Sequence, residues 1–162
     1  MGIFSFPMAI VSINHETNTV QFSGANNPLY IITNSELRIT NDNTDAINLI
    51  DSSALKVESS KSFYEVKPDK MPIAIYEKMD NFTTHQIQLE KGDQLYLFSD
   101  GYADQFGGPK NKKFKYKPFK RLLLENASKS MSEQKEILNS AFEQWRGEEE
   151  QIDDVVVLGI KI

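Results

Sequence analysis

The stretch Leu89-Glu90-Lys91-Gly92-Asp93-Gln94-Leu95-Tyr96-Leu97-Phe98-Ser99-Asp100-Gly101 decides how this chain folds. Residues 90–93 form a tight turn, and residues 94–99 follow as a strand apolar on both faces. A strand without a polar face must be covered on both sides, so it belongs at the centre of a sheet. It ends on Asp100-Gly101, an acidic residue and a residue without a side chain.

Moving outward, residues 82–89 alternate Phe82, Thr84, Gln86 and Gln88 with Thr83, His85, Ile87 and Leu89, the period of a strand. Residues 8–14 alternate Ala9, Val11 and Ile13 and turn at His15-Glu16-Thr17-Asn18. Residues 19–23 return as the second arm of a hairpin. Further β runs are expected at 29–33, 37–40 and 62–66, whereas 41–61 is rich in Asn, Asp and Ser and reads as a surface insertion.

Past Asp100 the period changes. Residues 117–126 suit a short helix with Pro118 in its first turn and Phe119, Leu122 and Leu123 facing inward. A longer helix is expected over 131–146, opened by Ser130 and Glu133 at capping-box spacing and closed by Gly147. Its apolar face carries Met131, Ile137, Leu138, Ala141, Phe142 and Trp145, and Trp145 is expected in the core. Gly107-Gly108-Pro109 reads as a loop. A β-branched strand over 154–162 ends the chain. Many strands, two helices and a last strand make an α+β fold, with helices on an antiparallel sheet.

Two carboxylates flank the strands most clearly read. Asp100 follows 94–99, and Asp153 precedes 154–162. If the two strands are antiparallel neighbours, about 4.8 Å apart, the end of one and the start of the other share a sheet edge. Carboxylates held that close repel unless a proton or cation lies between them. Hard cations such as Mg²⁺ and Mn²⁺ take oxygen ligands, so Asp100 and Asp153 are the candidate metal residues. Gly101 would let backbone approach a ligand. Taken alone, each element is also an ordinary turn or cap.

The motifs add to this. Residues 89–104, ending Ser99-Asp100-Gly101-Tyr102-Ala103-Asp104, resemble the "strand, SDG, acidic" signature of SpoIIE/RsbU-type phosphatases, which are PP2C-like. Ile152-Asp153-Asp154-Val155-Val156-Val157-Leu158 is similar to their closing "DD" strand, Phe22-Ser23-Gly24-Ala25-Asn26-Asn27-Pro28-Leu29 to their "AGHNPP" turn, and Met71-Pro72-Ile73-Ala74-Ile75 to their "PLG" segment. The four occur in family order. The resemblance implies a PP2C-like antiparallel β-sheet sandwich flanked by helices. It also implies a two-metal Mn²⁺ or Mg²⁺ site and hydrolysis of phosphoserine or phosphothreonine on a regulatory protein of the anti-anti-sigma type.

Residue by residue, the resemblance makes Asp100 and Asp153 metal ligands and Gly101, Asp104 and Asp154 supporting candidates. Asn26 stands where the family has histidine and Ala74 where it has glycine. No Asp-x-x-Gly-His-Gly occurs in the sequence. That motif lies upstream in the family, so the chain is expected to be a single partial domain lacking the N-terminal part. A catalytically inactive module that binds a signalling partner is the alternative.

The bulk numbers exclude other classes. A chain of 162 residues, 40% hydrophobic and 25% charged, can bury a core as one domain. A net charge of −5 argues against a general nucleic-acid binder. With no cysteine there is no disulfide framework or thiolate metal site, which fits a cytoplasmic protein, such as the output domain of a larger sensor. No apolar run is long enough to span a bilayer. Phe6 occupies the Ser/Thr position of a myristoylation signal, which rules out that reading of Met1-Gly2.

Lys110, Lys112, Lys113, Lys115, Lys117, Lys120 and Arg121 cluster around Phe114, Tyr116 and Phe119, a pattern expected of a solvated loop and helix start, with phosphosubstrate docking as the functional rival. His15 and His85 are expected at the surface. A partial domain also risks an open sheet edge, so a homodimer is one expectation.

Overall fold

The computed structural model describes residues 7–40, 44–73 and 80–162. Ala74 and Ile75 of the "PLG"-like segment and the Met1-Gly2 start lie outside the described residues.

The first layer is a four-stranded antiparallel sheet. Strands β1 (Met8–Asn14) and β2 (Thr19–Ala25) form a seven-pair hairpin from Met8↔Ala25 to Asn14↔Thr19. The turn between them is anchored by Asn14 Oδ1, which accepts from the Glu16 and Thr17 amides, with Asn18 left-handed at φ 54°. Numbering in chain order, β3 is Leu29–Thr33, β4 is Arg38–Ile39, β5 is Ile47–Ile50, β6 is Ser62–Val66 and β7 is His85–Gln88. Strand β7 pairs with β2, and β4 closes the sheet beside β7.

The second sheet has five strands in the order β11-β8-β3-β6-β5, with β8 at Gln94–Phe98 and β11 at Val157–Lys161. Each described pairing is antiparallel. Strands β3 and β8 are interior, and four of the five β8 residues are buried, as its apolar character on both faces requires. Leu29, Ile31 and Leu95 face the first sheet, where Val20, Phe22 and Ile87 meet them. Tyr30, Ile32, Tyr96 and Phe98 face the helical layer. Burying each large aliphatic or aromatic side chain is worth about 1.5–3 kcal/mol. Of the expected insertion, 47–50 supplies edge strand β5, and Ser52–Leu55 form the short helix α1 with Leu55 in the core.

The third layer is helical. Short α2 spans Gly101–Asp104, α3 spans Tyr116–Glu125 and α4 spans Met131–Arg146. Helix α4 begins at the expected residue because Ser130 and Glu133 cap each other reciprocally. Its inward stripe runs Met131, Gln134, Leu138, Phe142, so a glutamine sits in an apolar row. Gln134 is tolerated because it is hydrogen-bonded: Tyr96 Oη lies 2.6 Å from both Gln134 Oε1 and Gln94 Oε1, and Gln94 Nε2 donates to the Ala127 carbonyl. A groove of about 540 Å³ remains between α4 and β11, lined by Tyr96, Met131, Leu138, Phe142 and Val157.

The expected Gly107-Gly108-Pro109 loop is the tip side of a small hairpin, β9 (Phe106–Gly107) with β10 (Lys112–Lys113). Trp145 explains both glycines. A Cβ on Gly107 would lie 1.9 Å from the Trp145 carbonyl oxygen, and Gly108, at φ 67°, packs on the indole and donates its N–H to the same carbonyl. Trp145 Nε1 in turn donates to the Gln105 carbonyl. Trp145 is therefore half-buried under the hairpin, outside the main core.

His85 corrects the surface expectation. It is 2% exposed, on the same face as Ile87, and stacks on Phe22 with ring centroids 6.0 Å apart. Burial lowers its pKa from 6.5, opposed by the Asp69 carboxylate, and among the described residues its Nδ1 has no partner.

Candidate functional site

The exit of β8 and the approach to β11 meet at one rim. Phe98 pairs with Val157, and Ser99 N–H donates to the Val156 carbonyl, extending the ladder by one step. Beyond that point the Ser99 hydroxyl takes over: it donates to the Asp154 carbonyl at 2.7 Å and accepts from Val156 N at 2.9 Å. This substitution explains why the last strand starts at Val157 and not at the expected residue 154. Residues 154–156 follow β8 through a side chain, a pattern outside the regular ladder.

Gly101 seals the junction. A Cβ at that position would lie 2.4 Å from the Asp154 carbonyl oxygen and 3.3 Å from a Val155 methyl. Only glycine permits this approach, so Asp100 is held beside the Asp153-Asp154 segment. The N-cap position of α2 is Asp100 itself, and its side chain makes no capping bond. Asp153 Oδ1 accepts from the Asp154 amide at 2.8 Å, which fixes the carboxylate's orientation. Asp100, Asp153 and Asp154 are all exposed at the rim. Asp104, one turn on, is ion-paired to Lys113 at 3.0 Å. Among the described residues no group of three or more His, Cys, Asp and Glu side chains could hold a metal ion.

Two residues that sequence reasoning passed over support the rim. Asn27 Nδ2 donates to the Phe98 carbonyl at 2.8 Å, tying the β2–β3 turn to the end of β8. The turn is itself set by left-handed Asn26 (φ 55°), whose amide donates to the Asp69 carbonyl. Tyr116, 40% exposed, packs its ring at a 56° tilt to Phe98, with centroids 6.3 Å apart. Burial, then the fields of Asp100, Asp104 and Glu65, push its hydroxyl above the usual tyrosine range. Glu65 pairs with Lys120, whose ammonium also lies over the Tyr30 ring at 5.1 Å.

Just before Tyr116, Lys115 has φ 75° and ψ 157°. That backbone region belongs almost wholly to glycine and costs about 1–3 kcal/mol for another residue. It is held there by its N–H on the Ala103 carbonyl at 2.7 Å and by Phe114 N on the Gln105 carbonyl at 2.9 Å.

The sequence pattern of the family described as Stage II sporulation protein E (SpoIIE) matches residues 4–162. The chain belongs to the SpoIIE family. Among solved structures, this SpoIIE-family chain is similar to the SiaA-PP2C domain of Pseudomonas aeruginosa at TM-score 0.72 and 22% identity, over 96% of this chain and 51% of that one. It is also similar to the phosphatase domain of SpoIIE from Bacillus subtilis at TM-score 0.52 and 13% identity, over 96% and 58%. The Mn-presoaked form of that domain gives TM-score 0.56 and 18% identity, over 97% and 56%. The structural likeness shows a PP2C-like fold, and the chain spans about half the length of the structures it matches. No curated protein matches the chain. Among the described residues no helix is long and apolar enough to cross a membrane.

Proposed function

We propose that this SpoIIE-family chain carries part of the divalent-metal site of a protein phosphatase that hydrolyses phosphoserine or phosphothreonine on a regulatory protein. The observation that supports the reading is the close approach of Gly101 to the Asp154 carbonyl, which sets the backbone after Asp100 beside the Asp153-Asp154 segment, with all three aspartates exposed. Their chemistry fits Mn²⁺ or Mg²⁺, which prefer oxygen donors. Two carboxylates leave such an ion short of ligands, so water, backbone oxygens or further side chains would have to complete its shell. Asp104 is a supporting residue through its contact with Lys113, and Asp154 through its carbonyl.

A divalent ion at such a rim would lower the pKa of bound water and neutralise charge on phosphoryl oxygens. Asp100 and Asp153 would hold and orient it, while Ser99 and Gly101 keep the two segments in register and Asn27 ties the β2–β3 turn to the end of β8. The substrate proposed from the family resemblance is a phosphoprotein of the anti-anti-sigma type, met in the cytoplasm. Turnover of a phosphoserine peptide by the intact protein, titrated with Mn²⁺ and Mg²⁺, tests this. Metal-dependent turnover, lost in Asp100→Asn and Asp153→Asn with folding retained, supports it. Undiminished turnover in both variants overturns it.

The lack of a three-ligand cluster among the described residues favours a second reading, an inactive module that binds a signalling partner. Partner binding without metal or turnover would support that reading.

A further inference from the structure

We propose that the β9–β10 hairpin, together with Lys115 and Lys117 after it, is a docking surface for an acidic segment of the protein substrate. This rests on the phosphatase reading and names a feature of the substrate it would select. Lys110, Lys112, Lys115 and Lys117 are exposed, and among the described residues none of them forms an ion pair. The chain as a whole is acidic, at −5, so this concentration of free cations runs against its average. Free lysines that neighbour one another repel, and an acidic ligand relieves the repulsion.

Position decides what the surface serves. The hairpin leaves α2 through Gln105, and α2 starts directly after Asp100. Lys113 reaches back to Asp104, and Lys115 is bonded to the Ala103 carbonyl, so the lysines border the carboxylate rim. The hairpin is also anchored, since Gly107 and Gly108 are seated on Trp145. Lysine at Lys115 is costly where glycine would be free of strain. Strain of this kind persists where surrounding structure over-determines it, characteristically at ligand clamps.

An acidic protein segment fits better than a nucleic acid. The carboxylates of Asp100, Asp104 and Glu65 interrupt any continuous cationic track. The aromatic faces are in use too: Lys113 lies over Phe106 at 6.0 Å, and Tyr116 packs by Phe98. An extended segment with glutamates flanking its phosphoserine could place the phosphoryl group at the rim and its flanks on the lysines.

The test uses two fluorescent phosphoserine peptides, one flanked by glutamates and one by glutamines, with the intact protein. Binding is read by anisotropy and turnover by phosphate release. The wild type is expected to bind the acidic peptide more tightly, with affinity falling as salt rises. Replacing Lys110, Lys112, Lys115 and Lys117 together by Gln should weaken acidic-peptide binding by about tenfold and put the loss in turnover on KM. Lys115→Gly separates docking from backbone strain: it should raise the melting temperature while weakening acidic-peptide binding. A higher melting temperature with unchanged binding overturns the role of Lys115. Equal binding by wild type and the quadruple variant overturns the docking surface, whatever the turnover. Tighter binding of a single-stranded oligonucleotide than of the acidic peptide also overturns it. Lysine-dependent peptide binding without phosphate release keeps the surface and removes the phosphatase reading.

Discussion

Asn27 and Phe98 are joined across 71 residues of sequence by one hydrogen bond, from the Asn27 side-chain amide to the Phe98 carbonyl at 2.8 Å. It links the turn leaving the first sheet to the last regular residue before Asp100. Asn27→Ala should lower stability by about 1 kcal/mol, the usual net worth of such a bond. Urea unfolding measures this. If the rim holds a metal, the same variant should also weaken Mn²⁺ affinity, because Asp100 loses its tether.

Gly101→Ala introduces a methyl group into space occupied by the Asp154 carbonyl. Backbone on both sides has to separate, at a cost of about 1–3 kcal/mol. Thermal or urea unfolding should show the loss. Gly92, where an added Cβ meets nothing within 4 Å but φ is 99°, provides a contrasting alanine variant that tests strain without collision.

The Gln94–Tyr96–Gln134 network should respond unevenly to substitution. Tyr96→Phe removes one hydroxyl and is expected to cost about 1 kcal/mol. Gln134→Leu also strips a partner from the Tyr96 hydroxyl and Gln94 and leaves the Lys129 carbonyl without its donor, so about 2–3 kcal/mol is expected. A double-mutant cycle measures the coupling between them.

His85 makes stability depend on pH. Its folded pKa lies below 6.5, because burial penalises the imidazolium more than Asp69 favours it. The unfolded chain therefore binds the proton more readily. The stability is fully present above the unfolded value of about 6.5 and is lost as pH falls through the folded value. His85→Gln, neutral at each pH, should flatten the unfolding free energy between pH 7 and pH 5. An unchanged slope would refute the assignment.

Parts of this were open to reading in the chain and parts were not, for physical reasons. The apolar run at 94–98 dictated a strand covered on both faces, and reciprocal Ser130–Glu133 capping fixed where α4 starts. The pairing of the β8 exit with the approach to β11 followed from strand order. The start of β11 did not, because a serine hydroxyl replaces ladder bonds there and leaves no periodic mark. Buried His85 did leave a signal: it alternates in phase with Ile87 and Leu89, both 2% exposed or less. The Lys115 backbone left none, since the residue that would reveal a positive φ is glycine, and lysine stands there.

The seating of Gly107 and Gly108 on Trp145 has a mechanical consequence. Helix α4 carries Trp145 near one end, and Met131 and Leu138 along its groove-lining side. The hairpin is thus bolted to the helix as a crank arm is to its shaft. Any displacement of that end of α4 must therefore carry Gly107 and Gly108 with it or break the Gly108–Trp145 hydrogen bond.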